Sequence, residues 1–455
     1  MKPANVEEPL KTNTPPGQLS LWSGQRSRPH VSVNRWNRPE KLASLLTKDL
    51  NFSGENTSYS RHNFHAFAAK FPPQLPRFFI EELSCEGEVV LDPMVGSGTT
   101  VLEAVLLGRR AIGFDIDPLA ERISRIKVTN FYSHNVAAAA SKVVRKARSI
   151  LQHRGVLHET LKTRFDPETV RFIEYWFLPA TQLELMALVS AISKIQDTRI
   201  RALLEVAFSG IIVTKSGGVS MARDLAHSRP HRVPCKVPKN AIDQFEQKVR
   251  KTLRSLADSV PSSPVEIHRG DARCLPVKDQ TVDLIVTSPP YANAIDYVRA
   301  HKFSLVWLGD PIESLSTLRS TYIGTEKTAG VAVHTFGETS ARILCELAKR
   351  DHKKGRVFSK YLSDMASVLQ EMLRVLKHGR CAILVVGSST MRGLDVKTHE
   401  CLAEVARSVG WNVLGMAPRR IDRDKRMMPM RLSKSLATQI EQRMSEEFVI
   451  AMAKP

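Results

Sequence analysis

The run Thr287-Ser288-Pro289-Pro290-Tyr291 carries the residues best suited to do chemistry in this chain. Two consecutive prolines fix φ and have no N–H to donate, so their carbonyls stand as directed acceptors. The Ser288 hydroxyl adds a polar group, and the Tyr291 ring adds a flat apolar face. This set suits a planar heteroaromatic ring that bears an exocyclic amino group. Accepting the amino hydrogens at Ser288 and at the Pro289 carbonyl turns the nitrogen toward sp3 and aims its lone pair. Direct in-line attack on an activated methyl group is then favoured by positioning and electrostatics alone. Tyr291 supplies a face on which an extruded ring can stack. A bare Pro-Pro-Tyr would be only a rigid loop. It gains specificity from Asp283-Leu284-Ile285-Val286 before it, which reads as a buried strand.

A second constellation lies at Asp92-Pro93-Met94-Val95-Gly96-Ser97-Gly98-Thr99-Thr100. It follows Glu88-Val89-Val90-Leu91, another short β-branched run. Gly96 and Gly98 let the backbone bend and approach a ligand. The helix read from Gly96 to Leu107 offers free N–H groups and the positive end of its dipole, which suits a carboxylate. Asp115 closes a second strand, Arg110 to Phe114, where an acid accepts hydrogen bonds from a ribose diol. A P-loop is excluded because no Lys follows the last glycine. A dinucleotide dehydrogenase stays open on this geometry, as does a tight turn with no ligand.

These residues need elements to position them. Strand, glycine turn, helix, strand and acid make one βαβ unit of an open parallel sheet, with Pro118 opening a helix that runs to about Val128. Further strand patterns occur at Val265–His268, Val282–Thr287, Cys381–Val386, Asn412–Met416 and Phe448–Met452. Helical patterns fill much of the interval between, as at Phe172–Lys194 and Ile200–Ile212. The expected fold is α/β, a Rossmann-like doubly wound sheet split by a mostly helical insertion. The expected domains are a flexible tail over 1–45, a catalytic domain over 46–130 and 264–455, and the insertion over 131–263.

The 455 residues carry a formal net charge of +20, which points to a polyanionic partner. The six cysteines form no C-x-x-C pair, so zinc and a disulfide framework are not expected. No apolar run is long enough to span a membrane, and the N-terminus lacks a signal-peptide core. A cytoplasmic protein without metal is the expectation. His62 and His65, spaced i, i+3, find no second ligand cluster. Cytosine C5 chemistry needs a cysteine after a proline. Pro234-Cys235 exists, but no strand precedes it.

At this point the two loops resemble those of the DNA amino-methyltransferases that form N4-methylcytosine or N6-methyladenine. Asp92 to Thr100 is similar to their cofactor loop, with Met94 where Phe is usual, and Thr287 to Tyr291 is similar to their catalytic loop. His62 to Pro73 resembles the segment that closes over the cofactor's methionine, which brings in Phe71. Gly270-Asp271-Ala272 resembles the turn whose acid meets the adenine amino group. The resemblance covers roughly 61–130 and 264–455. It implies S-adenosyl-L-methionine bound by Phe71, Asp92, Pro93, Gly96, Gly98, Thr99, Asp115 and Asp271, and catalysis by Ser288, Pro289, Pro290 and Tyr291. The implied partner is double-stranded DNA with the target base flipped out. Ser288, rather than Asp, before the prolines leans toward cytosine N4. Adenine N6, an RNA (tRNA guanine) amino-methyltransferase and a non-catalytic DNA-binding protein on the same fold remain alternatives.

Two basic clusters are candidates for DNA contact. Lys215, Arg223, His227, Arg229 and Arg232 surround a Gly217-Gly218 turn, and Arg419-Arg420 opens a second cluster. A plain solvated face is the alternative for each. Gln18-Leu19-Ser20-Leu21-Trp22 is similar to the short peptide by which bacterial proteins bind the sliding clamp.

Overall fold

A computed structural model describes residues 37–70, 72–214, 216–223, 225, 230–256, 258, 260–292, 296–325, 334–422 and 445–455. Seven strands make one sheet: β1 Val89–Asp92, β2 Arg110–Asp115, β3 Val265–Arg269, β4 Val282–Thr287, β5 Leu376–Gly387, β6 Asn412–Arg420 and β7 Glu446–Ala453. Their order is β6-β7-β5-β4-β1-β2-β3. The β1, β2, β3, β4 and β5 pairings are parallel, and β7 runs antiparallel to both β5 and β6. Every residue of β1 and of β4 is buried, as the centre of a sheet covered on both faces requires. The chain leaves β1 toward β2 on one side, while β4 lies on the other. The crevice above their carboxyl ends is the topological switch point, where doubly wound sheets bind ligands.

The helices in chain order are α1 Arg38–Leu45, α2 Gln74–Leu83, α3 Thr99–Leu106, α4 Pro118–Val128, α5 Ser133–Ile150, α6 Arg154–Arg164, α7 Pro167–Trp176, α8 Pro179–Ile192, α9 Thr198–Ile212, α10 Ala241–Ser255, α11 Tyr297–Leu305, α12 Ile312–Thr321, α13 Glu338–Arg350, α14 His352–Val375 and α15 Thr398–Ser408. Their starts obey local chemistry. Asp117, Asp166 and Asp197 each accept from two backbone amides one turn on, and proline follows the first two caps directly. Apolar residues of α1, α2 and α3 pack on one sheet face, and those of α13, α14 and α15 pack on the other.

Four sequence expectations change. The tail does not reach residue 45: in α1, Leu42 is fully buried, and Arg38 Nη2 donates to both Glu88 carboxylate oxygens at 2.9 Å. The single helix read over Phe172–Lys194 is two, α7 and α8, broken at Phe177-Leu178 before Pro179, because a residue preceding proline avoids the helical region. The two antiparallel strands, β6 and β7, are longer than their apolar runs suggested. α5 to α10 lie in the interval expected to be the insertion, but the core they build does not end at residue 263. Trp307 and Phe303, from the segment after β4, are fully buried in the same cluster as Phe208 of α9 and Ile123 of α4. Trp307 meets Phe165 and Phe177 edge-on, with ring centroids 5.8 and 5.4 Å apart. Among the described residues no helix is long and apolar enough to cross a membrane.

Candidate active site

The two loops read from sequence meet because their strands are neighbours. β1 and β4 pair in parallel, Val90 with Leu284 and Leu91 with Ile285, so both run out at one edge of the sheet. Across that edge the Thr287 hydroxyl donates to Asp92 Oδ1 at 2.7 Å. Asp92 Oδ1 also accepts the Met94 amide at 3.2 Å. Burial pushes the Asp92 carboxyl up to about 6, and the bond from Thr287 opposes that rise.

The glycine turn is anchored from three sides. The Val95 amide donates to the Phe114 carbonyl, the Gly96 amide to Asp115 Oδ2 at 2.8 Å, and the Ser124 hydroxyl to the Gly96 carbonyl. Gly98 is the left-handed residue before α3, with φ +81°. A Cβ there would stand 3.0 Å from Ser124 Cα, so α3 and α4 approach closely only because Gly98 lacks a side chain. Asp115 Oδ1 takes the Asp117 amide. Burial and the neighbouring Asp117 charge push the Asp115 carboxyl up to about 7. Burial works against ionised Asp117 as well, but the His301 ring and the Tyr322 hydroxyl, both 2.9 Å from Oδ2, hold its carboxyl below the usual range.

One cavity opens where the two loops meet, with about 1070 Å3 of empty space including its mouth. All four expected catalytic residues line it, as do Asp92, Pro93, Gly96, Thr99, Asp115 and Asp271. Gly98 shapes the turn without reaching the cavity. The Asp271 carboxylate is gripped by Arg273, Nη2 to Oδ2 2.6 Å, which outweighs burial and holds its carboxyl low. Phe71 lies outside the described residues. The sequence reading missed Phe67, Tyr297 and Tyr322. Tyr297 stacks on Phe67 at 5.1 Å, and its hydroxyl donates to the Ala68 carbonyl. Phe67 falls inside the His62–Pro73 resemblance, but nothing in the sequence marks the two tyrosines.

The catalytic loop itself is tightly held. The Tyr361 hydroxyl of α14 donates to the Pro290 carbonyl at 3.0 Å, and Ser288 and Pro289 line the cavity beside it. Tyr291 is 6% exposed, and its hydroxyl donates to Glu447 Oε1 at 2.6 Å. Burial and the Glu447 charge push this phenol well above its ordinary value.

The expected DNA contacts divide. Arg419 is a correction: it is 5% exposed and buried against the sheet, not presented to solvent. Its guanidinium is spent on Glu447, on the Leu50 carbonyl at 3.1 Å and on the Asn51 carbonyl. Strand alternation explains the error, since neighbouring Arg420 points to solvent while Arg419 points in. Arg223 and Arg232 are exposed on a two-stranded ribbon beside the Gly217-Gly218 turn. That turn is tight: a Cβ on Gly218 would fall 1.8 Å from the Ile211 carbonyl oxygen. Lys215, His227, Arg229 and the Gln18–Trp22 peptide lie outside the described residues. His62 and His65 reach separate partners, Glu103 at 2.6 Å and Ser209 at 3.1 Å.

A family model described as DNA methylase matches residues 13–125 and 282–441, more than half of the chain. The unmatched interval contains α5 to α10. The chain is 24% identical to Type II methyltransferase M.MvaI of Kocuria varians, over 86% of this chain and 92% of the relative. It is 23% identical to Type II methyltransferase M.AvaI of a Nostoc strain, over 90% and 92%. With Type II methyltransferase M.BsoBI of Geobacillus stearothermophilus the identity is 22%, over 71% and 68%.

Proposed function

The chain belongs to the DNA methylases, S-adenosylmethionine-dependent enzymes that modify an amino group of a base, and on that premise we propose that it methylates cytosine N4 at specific sites in duplex DNA. The observation that carries this reading is the Thr287–Asp92 hydrogen bond, which joins the two loops over one cavity. Ser288 in front of the two prolines favours cytosine over adenine. The names of the relatives, all Type II methyltransferases, favour a restriction–modification setting.

The donor set fits the cofactor. Four carboxylates, Asp92, Asp115, Asp117 and Asp271, line a largely apolar cavity. Asp92 and Asp115, the two raised by burial, would be relieved by hydrogen-bond donors and positive charge, and S-adenosylmethionine brings a diol, amino groups and a sulfonium. When bound, it supplies an electrophilic methyl group. Asp115 would hold the ribose, Asp271 the adenine amino group, and the turn at Gly96 to Thr99 the methionine end. The chain's own contribution to reaction is on the base. Ser288 Oγ and the Pro289 carbonyl accept the two amino hydrogens, and Tyr291 packs against the ring. Each acceptor draws the nitrogen lone pair out of conjugation and fixes its direction. Glu447 and Tyr361 keep the loop rigid, so little reorganisation accompanies reaction.

The test is incubation with labelled S-adenosylmethionine and mixed DNA or RNA, followed by nucleoside analysis. N4-methylcytosine in DNA is the expected product. N6-methyladenine would refute the choice of base, and label confined to RNA would refute DNA as substrate. Retained activity in Ser288→Ala with Tyr291→Ala would refute the assigned roles.

A further inference from the structure

α11 and α12 present one side to the active-site cavity and another to a separate cleft. Tyr297 and His301, one turn apart on α11, face the cavity through Phe67 and Asp117. Val298 and Lys302, also one turn apart, line the cleft together with Arg299, Ser316 and Arg319. Across it stands Trp176 at the end of α7, with Pro230 from the loop after α9. α12 shows the same division, since Arg319 lines the cleft while Thr321 and Tyr322 just beyond line the cavity.

The charges in this cleft do not balance. Arg299 and Arg319 both close on a single oxygen, Asp296 Oδ2, with Arg299 Nε at 2.8 Å. One carboxylate therefore serves two guanidinium groups. Lys302 has no carboxylate bonded to it among the described residues, and its ammonium sits 5.0 Å from the Phe172 ring centroid. Burial and the nearby Arg319 and Arg299 charges hold Lys302 below the ordinary lysine value, against the opposing pull of Asp296. An anion would relieve that crowding. The floor is aromatic: Trp176 meets Phe303 edge-on at 4.8 Å. At the rim, Arg232 stands over the Tyr175 ring at 5.2 Å, and that ring touches Trp176.

We infer that this cleft, with Lys302, Arg299 and Arg319 as its cations, binds the phosphodiester backbone of duplex DNA beside the extruded base. The inference rests on the DNA methyltransferase reading and adds the surface that holds the strand. A flipped base keeps its backbone on both sides, so the phosphates next to it must be held near the base cavity. A wall of two helices with cations on its far side meets that need. Trp176 gives the sugar an apolar surface.

The experiment measures the binding of mixed-sequence duplex DNA by fluorescence anisotropy across a salt series, for wild type, Lys302→Ala, Lys302→Arg and Arg319→Ala. Melting and S-adenosylmethionine affinity of each variant serve as fold controls. Losing one phosphate contact flattens the slope of log K against log salt by about 0.9. Each alanine variant is expected to show that change with roughly tenfold weaker binding, and Lys302→Arg to restore it. Unchanged slope and affinity in both alanine variants, with melting and cofactor binding intact, would overturn the inference. A wild type that methylates only RNA would instead overturn the function reading, and this inference with it.

Discussion

Glu447 joins the catalytic loop to the edge of the sheet, and its replacement is a quantitative test of that link. Glu447 is 8% exposed and takes the Tyr291 hydroxyl on one oxygen and Arg419 on the other. Glu447→Ala strands a guanidinium that is only 5% exposed. Removing one partner of a buried pair costs about 3–5 kcal/mol, and an unsatisfied buried hydroxyl costs about 1–3 kcal/mol. The two losses share one side chain and the cavity left behind admits some relaxation, so they do not simply add; about 4 kcal/mol is a reasonable total. At about 2.1 cal/mol/K per residue, a chain of this length unfolds with an entropy near 1 kcal/mol/K, so Tm falls by about 4 °C. Glu447→Gln keeps an acceptor for Tyr291 and should lose about half as much. Arg419→Met combined with Glu447→Ala removes the stranded charge, so the double variant should melt above Glu447→Ala alone. Calorimetric melting of the four proteins checks this. A Glu447→Ala protein that melts within 1 °C of wild type would refute the energetic role of the pair. A double variant less stable than Glu447→Ala would refute the stranded-charge argument.

Tyr291→Phe keeps the ring and loses one hydrogen bond, so it should retain most of its methylation rate; Tyr291→Ala loses stacking worth about 1–3 kcal/mol and should fall by tenfold or more. Steady-state methylation of duplex DNA separates the two. Asp115 has its carboxyl raised to about 7 and must be ionised to accept fully from a cofactor diol. Cofactor affinity should therefore be full above that value and fall as pH drops through it, approaching tenfold per unit, as read by calorimetric titration; a flat profile from pH 8 to 5.5 would contradict the role. Lys127 is fully buried, its ammonium has no hydrogen-bond partner among the described residues, and burial with the nearby Lys70 charge holds it well below the lysine value. The unfolded chain binds this proton more readily than the folded one, so wild-type stability drops with acidification. Lys127→Met should raise stability by about 1–3 kcal/mol and flatten that part of the pH dependence in denaturant titrations.

The parts legible in sequence were those in which local chemistry leaves few choices. β4 was read to its residue limits because a β-branched run is buried on both faces and stopped by two prolines. α4 was read because Pro118 opens it. Asp92 and Thr287 were each chosen for their own loop, but their bond depends on β1 and β4 being neighbours, and pairing across 195 positions has no local signal. Arg419 failed for a related reason. A strand's period of two puts one arginine of a pair inside, and only the position of Glu447 decides which. Tyr297 and Tyr322 were passed over because what selects them, Phe67 and Asp117, lies about 200 positions earlier.

The position of the insertion follows from the same geometry. It enters between β2 and β3, on the side of the switch point away from β4. A helical body there could have stood apart from the catalytic loop. It does not, because α11, α12 and the turn between them, which follow β4, bury Phe303, Trp307, Ile312 and Leu315 in its core. The two segments that border the cavity from opposite sides of the switch point thus share one apolar cluster. His301 draws the same parts together by reaching Asp117, the cap of α4. Deleting the insertion would expose a fully buried phenylalanine and tryptophan in and just after α11, the helix that opens with Tyr297. An excised variant joining residues 130 and 264 is therefore expected to lose cofactor binding as well as DNA binding, since Tyr297 and Phe67 would lose their support. Isothermal titration with S-adenosylmethionine checks it: wild-type cofactor affinity in the excised protein would mean that the insertion is an independent lobe and that the shared core has no mechanical consequence.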